Sequence, residues 1–164
     1  MLVLGIDPGC GSTGYGLVDK IRGRYVLVAA GAIRTKSSEP MEQRLAAIYD
    51  GLVAQIQVHQ PASVAIEAIF RHKSSESALK LGQARGVALL AASQANVPLF
   101  EYNAMTVKKS VTGSGRADKN QVSRVVKMLL GQEVPGPHDA VDAVAIAMTH
   151  HAHAHHHAAI GALG

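Results

Sequence analysis

Leu2-Val3-Leu4-Gly5-Ile6-Asp7, stopped by Pro8-Gly9, is the stretch on which the reading of the fold turns. It is short, apolar and bounded by turn residues, so it reads as a buried strand that ends in a carboxylate. Gly14-Tyr15-Gly16-Leu17-Val18 follows after a Gly/Ser/Thr turn, and Arg24 to Thr35 is a third run rich in Val and Ala. Such short links predict hairpins and an antiparallel meander. Pro40 then opens a helix in which Met41, Leu45, Ile48, Leu52 and Ile56 recur every three or four residues, up to Pro61. Ser63 to Phe70 reads as a fourth strand, with Val64, Ile66, Ala68 and Phe70 on one face and Glu67 on the other.

Ser74-Ser75 caps a long helix from about residue 76 to 96, whose apolar set is Ala78, Leu79, Leu81, Ala84, Ala88, Ala91 and Ala92. Val97 to Tyr102 is a fifth strand. Helices near 104–112 and 118–130 flank Gly113-Ser114-Gly115, and a last helix starts near Asp139, past Pro135-Gly136-Pro137. Three strands, helix, strand, long helix, strand and further helices predict an α/β domain, a mixed five-stranded sheet with helices on both faces. That is the order of a ribonuclease H-like fold. No internal repeat interrupts it.

The 164 residues suffice for one domain with a core that needs no disulfide, and Cys10 is the single cysteine. No apolar run approaches the ~18 residues of a membrane span, and the N-terminus lacks the basic start of a signal peptide. A soluble, cytoplasmic protein is expected. The net charge of +4 is unevenly spread: residues 1–70 balance, residues 71–130 carry ten Lys/Arg against three acids, and residues 131–164 hold three acids and no Lys/Arg. A basic middle points to a polyanion, nucleic acid first. Arg71, Lys73, Lys80, Arg85, Lys108, Lys109, Arg116, Lys119, Arg124 and Lys127 are candidates to track phosphates. Two Phe, four Tyr and no Trp argue against a single-strand stacking platform.

Four acids carry the chemistry. Asp7 ends the first strand, Glu67 lies inside an apolar strand, and Asp139 and Asp142 share one face of the last helix. Alone, Asp7 could serve the turn, and Asp139 with Asp142 could cap the helix. Glu67 resists such a reading, because desolvating a carboxylate is costly unless it is paired or bound to a cation. Clustered oxygen donors without cysteine favour Mg²⁺, or Mn²⁺, over Zn²⁺. Two such ions about 4 Å apart suit phosphodiester hydrolysis. His138 is adjacent and reads as a loop histidine.

Several stretches together resemble the RuvC family of bacterial Holliday-junction resolvases. They are Gly5-Ile6-Asp7-Pro8-Gly9 with Thr13-Gly14-Tyr15-Gly16; Ala65-Ile66-Glu67 with Phe70; Ser77 to Val87, reading SALKLGQARGV; and Asp139-Ala140-Val141-Asp142-Ala143 with Ala145-Ile146-Ala147 and Thr149-His150. The resemblance spans about Leu2 to His150. It implies a homodimeric, Mg²⁺-dependent crossover junction endodeoxyribonuclease that nicks two strands of a four-way DNA junction in recombination and repair. Its implied catalytic and metal-holding residues are Asp7, Glu67, Asp139 and Asp142. Phe70 matches an aromatic inserted into the open junction, Lys108 and Lys119 match basic residues near DNA, and the helix at about 76–96 matches the dimer helix. RuvA and RuvB are the implied protein partners.

The nuclease domain is accordingly drawn at 1–150, with a His/Ala-rich tail at 151–164 expected to be flexible; six of the nine histidines lie between 150 and 157. Two rivals use the same residues differently. The Asp7-Pro8-Gly9 turn also resembles the first phosphate loop of actin-like ATPases and sugar kinases, which close a second domain over the nucleotide. A non-catalytic DNA-binding protein of the same fold would not need four acids in register.

Overall fold

Strands β1 (Val3–Asp7), β2 (Ser12–Ile21) and β3 (Arg24–Arg34) form the expected meander, and the computed structural model describes residues 1–68 and 74–161, with side chains through Ala154. The β2–β3 hairpin turns on Arg22 and Gly23, both with positive φ (50° and 81°), between the paired residues Ile21 and Arg24. Two left-handed residues in a two-residue loop match the strands' own twist. Helix α1 (Met41–His59) then crosses to β4 (Ser63–Glu67), helix α2 (Ser75–Gln94) leads to β5 (Leu99–Tyr102), and α3 (Ala104–Thr112), α4 (Lys119–Leu130) and α5 (His138–Gly161) follow.

The sheet order is β3-β2-β1-β4-β5. β1 is antiparallel to β2 and parallel to β4, and β4 is parallel to β5. Alternation divides the core in two. Leu4, Ile6, Leu17, Val64 and Ile66 face α1 and α2, where Ile48, Leu52, Ile56, Ala84 and Ala88 meet them. Val3, Val18, Ala65 and Tyr102 face α3, α4 and α5. Asp7 and Glu67 continue the second set.

The long helix departs from the expected pattern. Ser74 caps it through its side chain, accepting from the Ser77 N–H at 3.2 Å. Its buried face is the alanine set Ala84, Ala88, Ala91 and Ala92, and Leu79 points outward at 70 % exposure. Small side chains let α2 lie close to α1, which turns its larger apolar residues away.

The compositional break at 150/151 falls inside α5, which runs unbroken to Gly161. His150 and His151 belong to the core, at 2 % and 4 % exposure. His150 Nδ1 lies 2.8 Å from the Tyr102 hydroxyl, and His151 Nε2 donates to the Val18 carbonyl at 2.9 Å. A histidine whose ring nitrogen finds a partner can be buried neutral, and burial pushes His151 below its ordinary pKa.

Candidate active site

The site begins with three glycines. A Cβ on Gly5 would lie 2.0 Å from the Ala143 carbonyl oxygen, one on Gly14 2.0 Å from that of Asp139, and one on Gly16 2.5 Å from Val144 Cγ2. With no side chains there, α5 rests directly on the β1–β2 backbone. That contact brings its first turns, with Asp139 and Asp142, against the end of β1. Sequence reasoning placed Gly14 and Gly16 in a strand without seeing their task; glycines at alternate strand positions are the signal of close backbone approach.

One carboxylate oxygen from each of Asp7, Asp139 and Asp142 lies within 4.8 Å of the other two. Glu67 lines the same cleft, of about 290 Å³, with Lys108 and Lys119 on its rim and Val107, Val122 and Ile146 among its walls. The structure thus gathers all four predicted acids. α5 starts at His138, so Asp139 stands within the first turn, where the helix dipole favours an anion. Neither its carboxylate nor that of Asp142 makes a side-chain hydrogen bond among the described residues, so the capping alternative gains no support. The turn after Asp7 is held by other atoms: Thr13 Oγ1 donates to the Gly9 carbonyl at 2.7 Å.

The electrostatics are those of an under-neutralised cluster. Burial first, then the charges of Asp142, Glu67 and Asp139, push the Asp7 carboxyl up to about 8. Burial and then Asp142 raise Glu67, against the opposing pull of Lys119 and Lys108. Asp142 is raised by burial and by Asp139, while Lys119 and His138 pull it down. The Lys119 ammonium lies 3.8 Å from Asp142 and is largely in solvent, too hydrated to balance four acids. An all-carboxylate donor set that resists full ionisation fits a hard divalent cation.

The basic residues sort unevenly. Lys108 and Lys119 reach the cleft, Lys109 and Arg116 are exposed on the α3–α4 segment, and Lys80 is paired with Glu76 at 2.6 Å and does not line the cleft. Lys127 pairs with Glu133. Arg85 turns inward to Glu101, with 2.6 Å between Nη2 and Oε2. Phe70, Arg71 and Lys73 lie outside the described residues. Gln121, unnoticed in the sequence, closes a capping box with Asp118 at the start of α4, next to Lys119.

The family model of RuvC, described as crossover junction endodeoxyribonuclease RuvC, matches residues 3–150. The chain is 48% identical over 158 residues to that enzyme from Pelotomaculum thermopropionicum, covering 96% of this chain and 94% of the relative. It is 50% identical over 149 residues to the one from Saccharophagus degradans, covering 91% and 86%. Among solved structures, Thermus thermophilus RuvC in complex with a Holliday junction substrate superposes with a TM-score of 0.90 at 36% identity, covering 96% of both chains. The yeast mitochondrial Holliday junction resolvase Ydc2, at 14% identity and a TM-score of 0.61, shares the fold. With a matching model over nearly the whole described domain and a ribonuclease H-like sheet carrying its acids at the ends of β1, β4 and α5, the chain belongs to the RuvC family of crossover junction endodeoxyribonucleases.

Proposed function

We propose that this protein resolves four-way DNA junctions by paired, metal-dependent nicking, with Asp7, Glu67, Asp139 and Asp142 as its catalytic acids. The observation that carries this reading is the convergence of Asp7, Asp139 and Asp142 within 4.8 Å, in a cleft shared with Glu67 and rimmed by lysines. The four carboxylates would hold Mg²⁺, with Mn²⁺ as a substitute. Bound there, the cation supplies an activated water and charge stabilisation at the leaving oxygen. The chain's own residues do the rest. The acids stay close because α5 lies on glycine, and Lys108 and Lys119 meet the scissile region's phosphates. Lys109 and Arg116 extend the positive surface along the α3–α4 segment.

A two-fold substrate suits a two-fold enzyme. The outward face of α2 supports a homodimer through that helix. Leu79 and Leu90 are exposed at 70 % and 49 %, and among the described residues nothing lies within 4 Å of a Cβ on Gly82 or Gly86 between them. Glycine inside a helix costs about 1 kcal/mol against alanine, and close approach of a second helix would offset that cost. RuvA and RuvB, implied by the family, are its expected partners at the junction. We place its action in the cytoplasm because its substrate is DNA; separately, no helix among the described residues is long and apolar enough to cross a membrane.

A synthetic four-way junction with Mg²⁺ tests the reading. We expect symmetric nicks in two strands of like polarity and none in EDTA. Asp142→Asn keeps the side chain's shape but removes one negative ligand, so nicking should fall by orders of magnitude. Near-parental nicking by that variant, or by the parent in EDTA, refutes the four-carboxylate site.

A further inference from the structure

Arg85 and Glu101 join two elements that otherwise touch little, α2 and β5. Arg85 is only 19 % exposed, and its Nε is buried with no hydrogen-bond partner among the described residues. A guanidinium that leaves a buried N–H unpaired is a poor choice for stability alone, because desolvation is only partly repaid. Its position is more informative. Glu101 pairs with Ile66 across β4–β5, and the next residue, Tyr102, stands opposite Glu67. The Tyr102 carbonyl accepts the Ala68 N–H at 2.8 Å, which closes the strand end immediately after Glu67. Alternation puts Glu101 on the α2 side and Glu67 on the cleft side. The pair therefore braces, from behind, the strand end that carries the fourth acid.

A second tie runs the same way. Cys10, three residues beyond Asp7, donates its Sγ–H to the Lys80 carbonyl on α2 at 2.8 Å. Helix α2 is thus fastened to the segment after Asp7 and to the strand beside Glu67, while its opposite face carries Leu79, Gly82, Gly86 and Leu90.

We infer that Arg85 is a positioning residue for cleavage: through Glu101 it sets the depth of Glu67 in the carboxylate cleft and links the outward face of α2 to that geometry. This rests on the reading of the four acids as the cleavage site. The test uses the full-length protein, a synthetic four-way junction and a Mg²⁺ titration, with Arg85→Met, Glu101→Met and the double variant. Each single change should lower kcat at least about tenfold and raise the Mg²⁺ concentration for half-maximal rate severalfold, with KM within about twofold. The double variant should be no worse than the worse single, since both remove one interaction.

A merely structural role would lower the active fraction and leave the Mg²⁺ half-saturation in place. That result, parental kcat in Arg85→Met, or effects that multiply in the double variant would each overturn the inference. If Arg85→Met does not fold, Glu101→Gln keeps the partner's shape and removes its charge. The same losses are expected there, and parental kcat is again the overturning result. Asp7→Asn run in parallel separates the two levels: if it nicks normally the site itself is misassigned, whereas an inactive Asp7→Asn beside a normal Arg85→Met sinks the positioning role alone.

Discussion

Asp7→Asn should make the metal-free protein more stable while abolishing its activity. In the fold the Asp7 carboxyl is pushed up to about 8, against an ordinary 3.8. A folded-state pKa above the unfolded one means that the folded form holds the proton longer. The group's contribution is therefore fully present below about pH 3.8 and is lost as pH rises towards 8. At about 1.4 kcal/mol per pKa unit, ionising Asp7 at neutral pH costs the fold at most about 4 kcal/mol. The cleft is open enough for water to enter and for carboxylates to turn apart, so about 1–2 kcal/mol is the expected part. For a chain of this size that is a rise in Tm of roughly 3–8 °C for the Asn variant. Thermal denaturation in EDTA between about pH 4 and pH 8 measures it as a difference from the parent, so that shared titrations such as that of His151 cancel. The two proteins should melt together at the acid end and separate as pH rises. Mg²⁺ should then raise the parent's Tm more than the variant's, because only the parent keeps the full donor set. An Asn variant that melts at or below its parent near pH 8 without metal would refute the electrostatic account of the cleft.

Two further changes probe its walls. Gly14→Ala puts a methyl group 2.0 Å from the Asp139 carbonyl oxygen, so α5 must lift; we expect about 2–3 kcal/mol of destabilisation and loss of nicking, and a parental Tm would contradict the packing described. Lys119→Ala should weaken junction binding and make the log–log salt dependence shallower by about one unit per subunit, read by fluorescence anisotropy in Ca²⁺; an unchanged slope would place Lys119 away from DNA.

The meander, α1 and the four acids could be read from the chain because each is a local pattern. A short apolar run stopped by Pro8-Gly9 marks β1, spacing from Met41 to Ile56 marks α1, and Glu67 stands out as a charge among apolar neighbours. What stayed hidden is relational. Gly5, Gly14 and Gly16 acquire their meaning from α5, which arrives much later in the chain. Arg85 counts as one more positive charge until Glu101 is seen beside it, and Leu79 reads as core until alanine packing turns it outward. The histidine-rich end looks like a tail because helical periodicity in apolar residues lapses there. Yet His150 and His151 are held by Tyr102 and Val18, partners that no local window contains.

The glycine floor beneath α5 also bears on how relatives of this enzyme should be sorted. Where a helix rests on bare backbone, the spacing of the acids is set by main-chain contact and cannot be tuned by rotamer or recovered by a nearby compensating side chain. A gene that keeps every acid but places a bulkier residue at any of the three floor positions would encode a protein with the ligands of a nuclease and the wrong distance between them. Genome surveys that score only the carboxylates would count such sequences as active; adding Gly5, Gly14 and Gly16 to the signature would set them apart.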